Sequence, residues 1–208
     1  MLTVGPVQEN CYLICRDGAA EAVIVDPGDE APRLLGELEE MGASLAAILV
    51  THTHFDHVGA VAPVARATGA EVWVPAGERM VLADIMSYVP FEGFGPFESH
   101  EAEHTVEGGE RLELAGLEID VLPTPGHSPA HVTFSIPDAN AVFSGDVLFK
   151  GSVGRVDLPG GDWPTLLESI RLLADSLPQE TTVYPGHMGV TTLAAERATN
   201  PFLSELAR

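Results

Sequence analysis

Between His52 and His57 the chain places three histidines and one aspartate within six residues, in the pattern H-x-H-x-D-H. Imidazole nitrogens and carboxylate oxygens together suit zinc, manganese or iron. A single histidine is usually a hydrogen-bonded core or surface residue. Four such groups at this density point to a metal, because buried polar groups need partners. Three further candidates each follow a glycine: His127 in Pro125-Gly126-His127, Asp146 in Ser144-Gly145-Asp146, and His187 in Pro185-Gly186-His187. Glycine ahead of a ligand permits a tight turn and close backbone approach. The candidates are then His52, His54, Asp56, His57, His127, Asp146 and His187, more than one tetrahedral zinc needs. Divided over two ions, with one carboxylate shared, they leave open coordination positions, as catalytic rather than structural sites do. Two close cations can activate a shared water and stabilise charge on an attacked carbonyl.

These groups must be held by the elements around them. Leu45 to Val50 is an apolar run of strand type, and Val58 to Thr68 reads as a helix, so the first cluster lies where a buried strand ends. Ligand sites gather at such carboxyl ends in open α/β sheets. His52 and His54 are two apart, so in extended backbone they point to one side. His127, Asp146 and His187 likewise follow the strand-like runs Leu117–Leu122, Ala141–Ser144 and Thr182–Tyr184. Further strands are expected at 10–16 and 21–25, as a hairpin turning near Asp17-Gly18, and at 71–74, 111–114 and 132–136. Asp26-Pro27-Gly28 closes the hairpin's second strand. Asp26 is either a turn residue or a carboxylate that orients ligand histidines from behind. A helix capped by Asp29 carries Leu34, Leu35, Leu38 and Met41 on one face and ends at Gly42. Residues 76–88 read as helical. Residues 88–104, rich in Pro, Gly, Phe and Glu, are either a lid or a surface connection. His100 and His104 within them read as surface residues. After a Gly-rich loop at 150–161, Asp162 caps a helix whose core face is Leu166, Leu167, Ile170 and Leu173, and a last helix covers Thr191 to Arg197. The chain thus forms two loosely similar halves. That pattern predicts two packed sheets flanked by helices in one domain over 1–208, with the site where the halves meet.

Bulk properties narrow the function. The net charge is −21, from 31 acids against 10 bases. So acidic a chain lacks the basic footprint of nucleic-acid binding. No run approaches the roughly 18 apolar residues of a membrane span, and the N-terminus lacks the basic start of a secretory signal. Cys11 and Cys15 sit four apart in a strand, roughly 13 Å and too far for a disulfide. They read as buried reduced thiols, and a cytoplasmic location is expected. Lys150 and Arg155 share the loop after Asp146. There they meet a substrate carboxylate, or Arg155 pairs with Asp157 or another acid.

The chain resembles the metallo-β-lactamase superfamily, and within it the short, single-domain glyoxalase II-like hydrolases. The likeness rests on Gly5-Pro6, Asn10-Cys11-Tyr12, Asp26-Pro27-Gly28, Thr51 to Gly59, Thr124 to Pro129, Ser144 to Phe149, Gly154-Arg155, Tyr184 to His187, Thr191-Thr192 and Asn200-Pro201-Phe202. The resemblance implies an α/β fold, the four-layer αββα sandwich of two mixed sheets flanked by helices. It implies that His52, His54 and His127 hold one divalent ion, and that Asp56, His57 and His187 hold a second. Asp146 bridges the two. Zinc is the expected metal, with iron or manganese as the others. The implied reaction is hydrolysis of a small-molecule thioester, S-D-lactoylglutathione or a related acyl-thiol, with Asp56 also orienting the nucleophile. Three departures stand out. The longer enzymes carry a helical C-terminal domain before which this sequence stops, so the shorter, single-domain type is expected. Met188-Gly189 follows the last histidine where Gly-Pro is common, and Arg155 stands where the longer enzymes have a glutathione-contacting lysine. A persulfide dioxygenase of the same fold, with one iron on His52, His127 and Asp146, is the alternative. A non-catalytic metal-binding protein is a second, disfavoured because no ligand is missing. β-Lactam hydrolysis is disfavoured because the commonest such enzymes carry Cys at the position of Asp146. Nuclease activity is disfavoured, because neither the extra domain nor the basic surface it needs is expected here.

Overall fold

The apolar runs that end in chemistry-bearing residues are strands in the computed structural model, which describes residues 1–203. Within them the chain divides into two units, residues 1–106 with 113–117, and residues 107–112 with 118 onward.

The first unit is built on a six-stranded mixed sheet ordered β1 (Leu2–Val4), β2 (Glu9–Cys15), β3 (Glu21–Val25), β4 (Ser44–Leu49), β5 (Glu71–Pro75) and β6 (His104–Val106). The pairs β1–β2 and β2–β3 are antiparallel, and the remaining three are parallel. The expected hairpin is therefore present. β3 and β4 are buried along nearly their whole length, which explains their unbroken Ala/Val/Ile/Leu composition. Helix α1 (Ala31–Met41) lays Leu34 and Leu38 into the core beside Val61 and Val64. Leu35 is only partly buried and Met41 is exposed.

Local details depart from the expectation for identifiable reasons. Asp29 does not cap α1. The cap position is Glu30, in left-handed backbone with φ 54°, and the Asp29 carboxylate accepts from the Glu30 N–H at 2.6 Å. The helix expected over 58–68 is two: α2 (Phe55–Val58) and α3 (Val61–Thr68). The break falls at Gly59-Ala60, where the Ala60 N–H donates to the Pro27 carbonyl at 3.0 Å. Residues 76–88 form 3-10 turns at Ala76–Glu78 and Ile85–Ser87 around α4 (Arg79–Ala83), because Asp84 adopts non-helical φ −149°.

The second unit contains a six-stranded mixed sheet formed with β7 (Arg111–Leu114), β8 (Leu117–Pro123), β9 (Val132–Ile136) and β10 (Ala141–Gly145). A short hairpin of β11 (Leu148–Phe149) and β12 (Ser152–Val153) follows. Then come α5 (Trp163–Ser176), β13 (Thr182–Pro185), β14 (Thr191–Thr192) and α6 (Leu193–Thr199). The sheet order is β14-β13-β10-β9-β8-β7, with β10 and β13 parallel. Asp162 caps α5 as expected, accepting from the Thr165 N–H at 2.9 Å. Leu166, Ile170 and Leu173 are buried against Val142 and Val183, while Leu167 is only partly buried. Ser169 is buried as well, and its hydroxyl donates to the Pro125 carbonyl at 2.6 Å, tying α5 to the loop before His127. Ser169→Ala is expected to cost about 1 kcal/mol. The check is a lower denaturant midpoint at unchanged slope.

β1, β6, β11, β12 and β14 are two or three residues long, too short for alternation to be legible. Among the described residues no helix is long and apolar enough to cross a membrane.

Candidate metal centre

In the first unit, β4 delivers the chain to Val50, whose N–H donates to the Trp73 carbonyl at 2.9 Å. The next four residues alternate. Thr51 and Thr53 bind buried carboxylates, and His52 and His54 turn their rings toward each other. His52 Nε2 and His54 Nδ1 lie 3.1 Å apart. His57 follows on α2, with its ring centroid 4.1 Å from that of His52. Asp56 Oδ2 lies 3.9 Å from His57 Nε2. Asp26, His52 and His57 each offer a ligand atom within 4.8 Å of the others.

Asp26 is the organiser here. Its Oδ1 accepts from the Thr51 N–H at 2.7 Å and its Oδ2 from the Thr51 hydroxyl at 2.6 Å. Its Oδ2 also lies 3.0 Å from His57 Nδ1. With the proton on Nδ1, as this partner requires, His57 presents Nε2 as a lone pair. The Thr51 hydroxyl oxygen lies 3.0 Å from His52 Nδ1, so a histidine–threonine–carboxylate chain fixes His52 the same way. Asp26 is thus both turn and orienting residue. Its backbone is left-handed at φ 49°, a conformation Asp tolerates. Gly28 completes the turn, because a Cβ there would lie 1.7 Å from the Asp56 carbonyl. The close approach that places α2 needs a glycine.

In the second unit the three remaining candidates meet around one carboxylate. Asp146 Oδ2 is 3.4 Å from His127 Nε2 and 3.6 Å from His187 Nε2. His127 is oriented by the Arg155 carbonyl, which lies 2.7 Å from its Nδ1. His187 packs edge-on to Phe149. Gly154 sits behind Asp146, where a Cβ would come within 1.8 Å of the Asp146 carbonyl.

The Arg155 guanidinium is exposed and already has a partner. It closes on Asp157 with two hydrogen bonds, 2.6 and 2.7 Å, and this pairing pulls the Asp157 carboxyl down to about 2. Of the two readings of Arg155, the ion pair is the one observed. What reaches the donor set is its carbonyl. Lys150 is exposed. Met188, after His187, is exposed and adopts φ 68°, backbone that a glycine takes without strain.

Several participants carry no sequence signal of their own. His131 is buried, with Nδ1 3.0 Å from the Thr124 hydroxyl and Nε2 accepting from the Asp146 N–H at 3.1 Å. It holds the backbone of Asp146, and the only hint was its place four residues after His127. Glu9 is buried at the start of β2, its Oε1 3.8 Å from His57 Nδ1 on the Asp26 side. Glu78 is buried against Thr53. Cys11 is a core thiol, its pKa raised well above the ordinary value by burial and then by Glu9 and Asp26. Cys15 is partly buried rather than buried, and both thiols are free. His104 stacks on Trp73 at 4.0 Å and faces Glu71, while His100 faces Glu103. Among the described residues neither belongs to a group of metal donors.

Residues 88–103 bring Phe91, Phe94 and Phe97 around Phe55, with centroid distances of 6.4, 4.8 and 5.7 Å. Phe55 stands between His54 and Asp56, so this segment is anchored on the motif itself. Phe94 and Phe97, with Val4, Val7 and Phe55, line a cavity of about 290 Å³ that reaches Asp56.

The donors fit metal ions. Three of the imidazoles, His52, His57 and His127, are each held in one tautomer by an outward partner, and carboxylates lie beside the rings. Two mixed sheets with flanking helices, and metal-competent groups at the strand ends, define a metallo-hydrolase class. The chain matches the metallo-beta-lactamase superfamily model over residues 4–187 and belongs to that superfamily. It is 36% identical to the hydroxyacylglutathione hydrolase GloC of Haemophilus influenzae over 217 aligned positions, covering 98% of this chain and 97% of that one. Among solved structures it is similar to the BLEG-1 B3 metallo-beta-lactamase, with TM-score 0.91, 38% identity and 97% of each chain covered. It is also similar to TTHA1623 in a di-iron-bound form, with TM-score 0.77, 44% identity, and coverage of 97% of this chain and 98% of that one. The α/β fold of two mixed sheets flanked by helices, expected from the sequence, is the one these structures share.

Proposed function

We propose that this protein hydrolyses thioesters of small acyl-thiols, S-D-lactoylglutathione or a relative, with two divalent cations, zinc foremost. In this reading the two donor sets serve one centre: His52, His54 and His127 on one ion, Asp56, His57 and His187 on the other, and Asp146 on both. The observation that carries it is the single Asp146 oxygen set between two imidazole nitrogens, 3.4 and 3.6 Å away. A mononuclear dioxygenase uses two histidines and one aspartate, leaving His54, Asp56, His57 and His187 without a task. The likeness to GloC supports the thioester.

The bound ions would supply Lewis acidity and a nucleophilic water at neutral pH. The protein's own part is orientation. Asp26, through Thr51 and directly, and the Arg155 carbonyl keep His52, His57 and His127 in the tautomer that offers Nε2. In this reading Asp56 would hold a metal and orient the water. The cavity beside Asp56 is lined by no lysine or arginine among the described residues, which suits an uncharged acyl group.

The test is a panel of thioesters and β-lactams with purified enzyme, with oxygen uptake followed in parallel. Thioester turnover without oxygen consumption is expected. Turnover of β-lactams alone, to which BLEG-1 points, or oxygen-dependent persulfide oxidation, would replace the assignment. Because Arg155 is engaged with Asp157, Arg155→Ala is expected to change kcat/KM by less than about fivefold, equally for acidic and neutral thioesters, in line with exposed ion pairs. A large rise in KM confined to acidic substrates would restore Arg155 to substrate recognition.

A further inference from the structure

The threonines that flank His52 are held alike. Asp26 takes the N–H and hydroxyl of Thr51. One oxygen of Glu78, Oε2, takes the N–H and hydroxyl of Thr53 at 2.8 and 2.9 Å. Each carboxylate lies 25 positions from its threonine. Both are buried, Asp26 at 2% and Glu78 at 5% relative exposure. Asp26 follows β3 and Glu78 follows β5, the two neighbours of β4 in the sheet. Each flanking strand therefore sends one carboxylate to the end of the strand that carries the histidines.

We propose that Glu78 is a positioning residue for the His52–His54 pair. Thr53 is the single residue between the two rings. Its φ and ψ set the 3.1 Å separation of His52 Nε2 and His54 Nδ1. His54 follows in extended backbone, φ −62° and ψ 144°, before α2 begins, so no helical hydrogen bond fixes Thr53. Glu78 supplies that constraint from outside, through two hydrogen bonds accepted by one carboxylate oxygen. Glu78 has no part in the reaction. It pre-forms a donor pair that would otherwise have to be ordered when metal binds, and that ordering would weaken binding. Residues behind the ligands typically contribute 10- to 100-fold to metal affinity.

The inference rests on the metal-centre reading, and zinc affinity tests the two separately. Competition with a chromophoric chelator gives the affinity of each equivalent, and the cobalt-substituted protein gives a visible ligand-field spectrum. Glu78→Ala is expected to weaken one equivalent about 10- to 100-fold and to alter that spectrum. Glu78→Gln, whose amide oxygen can accept both Thr53 bonds, is expected to stay within about threefold of wild type. If Glu78→Ala does not fold, Thr53→Val against Thr53→Ser carries the same comparison. Valine is expected to weaken one equivalent several-fold, and serine to match wild type. Unchanged zinc affinity in Glu78→Ala or Thr53→Val, even with a lower melting temperature of metal-free protein, would reduce Glu78 to a structural residue. So would equal weakening by Ala and Gln. A wild-type protein that binds no zinc would overturn the metal-centre reading itself.

Discussion

Asp146→Asn is expected to abolish most of the activity, by several orders of magnitude, and to leave a folded protein with reduced metal content. Asparagine keeps the size of the side chain but removes the negative charge. Its NH₂, if turned toward His127 or His187, would meet a nitrogen lone pair with nothing to give but a proton the metal should occupy. The carboxylate sits between two imidazoles at 3.4 and 3.6 Å, so under the proposed reading both sites would lose a ligand together. In the proposed two-ion reading nucleophile activation would depend on both ions, which is why the expected loss is multiplicative rather than partial. The backbone contact that orients this residue, from its N–H to His131 Nε2, is untouched by the substitution. Circular dichroism should therefore match wild type while elemental analysis and kcat/KM fall. An Asp146→Asn enzyme with full metal content and activity would exclude the shared role.

The second large effect is expected at Asp26, and it is on stability as much as on metal. Asp26→Ala leaves the Thr51 N–H, the Thr51 hydroxyl and the His57 Nδ1 without the acceptor that now serves all three. A buried donor left unsatisfied costs about 1–3 kcal/mol. Alanine at φ 49° adds backbone strain of about 1–2 kcal/mol. Together these approach the whole stability of an ordinary domain, so Asp26→Ala should yield little folded protein. Asp26→Asn tolerates the left-handed backbone and retains one acceptor oxygen. It should fold with a lower melting temperature, and added zinc should recover less of that loss than in wild type. Thermal unfolding with and without zinc reads both effects. An Asp26→Ala protein within about 0.5 kcal/mol of wild type, the range of an ordinary surface change, would mean that Thr51 and His57 have other acceptors.

These two residues show what was legible in the sequence. Asp146 could be read because it follows an apolar run and a glycine, like His127 and His187. Asp26 stood at the end of a recognisable strand. The long parallel strands and α5 declared themselves by burial pattern and cap. His131, Glu9 and Glu78 did not. Their importance lies in contacts made with residues 15 to 48 positions away, and nothing in local periodicity reports such contacts. Arg155 shows the same limit from another side. Its charge drew attention, yet the guanidinium closes on Asp157 two residues on, and the group that matters to His127 is a backbone carbonyl. Gly59-Ala60 could not be seen as a helix break because the cause is a hydrogen bond to Pro27, in a distant turn.

Metal titration tests the central claim most directly. Protein prepared metal-free, then loaded with zinc and freed of excess, should hold two equivalents per chain, with thioesterase activity rising as the second is bound. One equivalent at saturation, with Asp56→Ala and His57→Ala leaving that stoichiometry unchanged, would contradict the two-ion account and leave Asp56, His57 and His187 as ordinary polar residues.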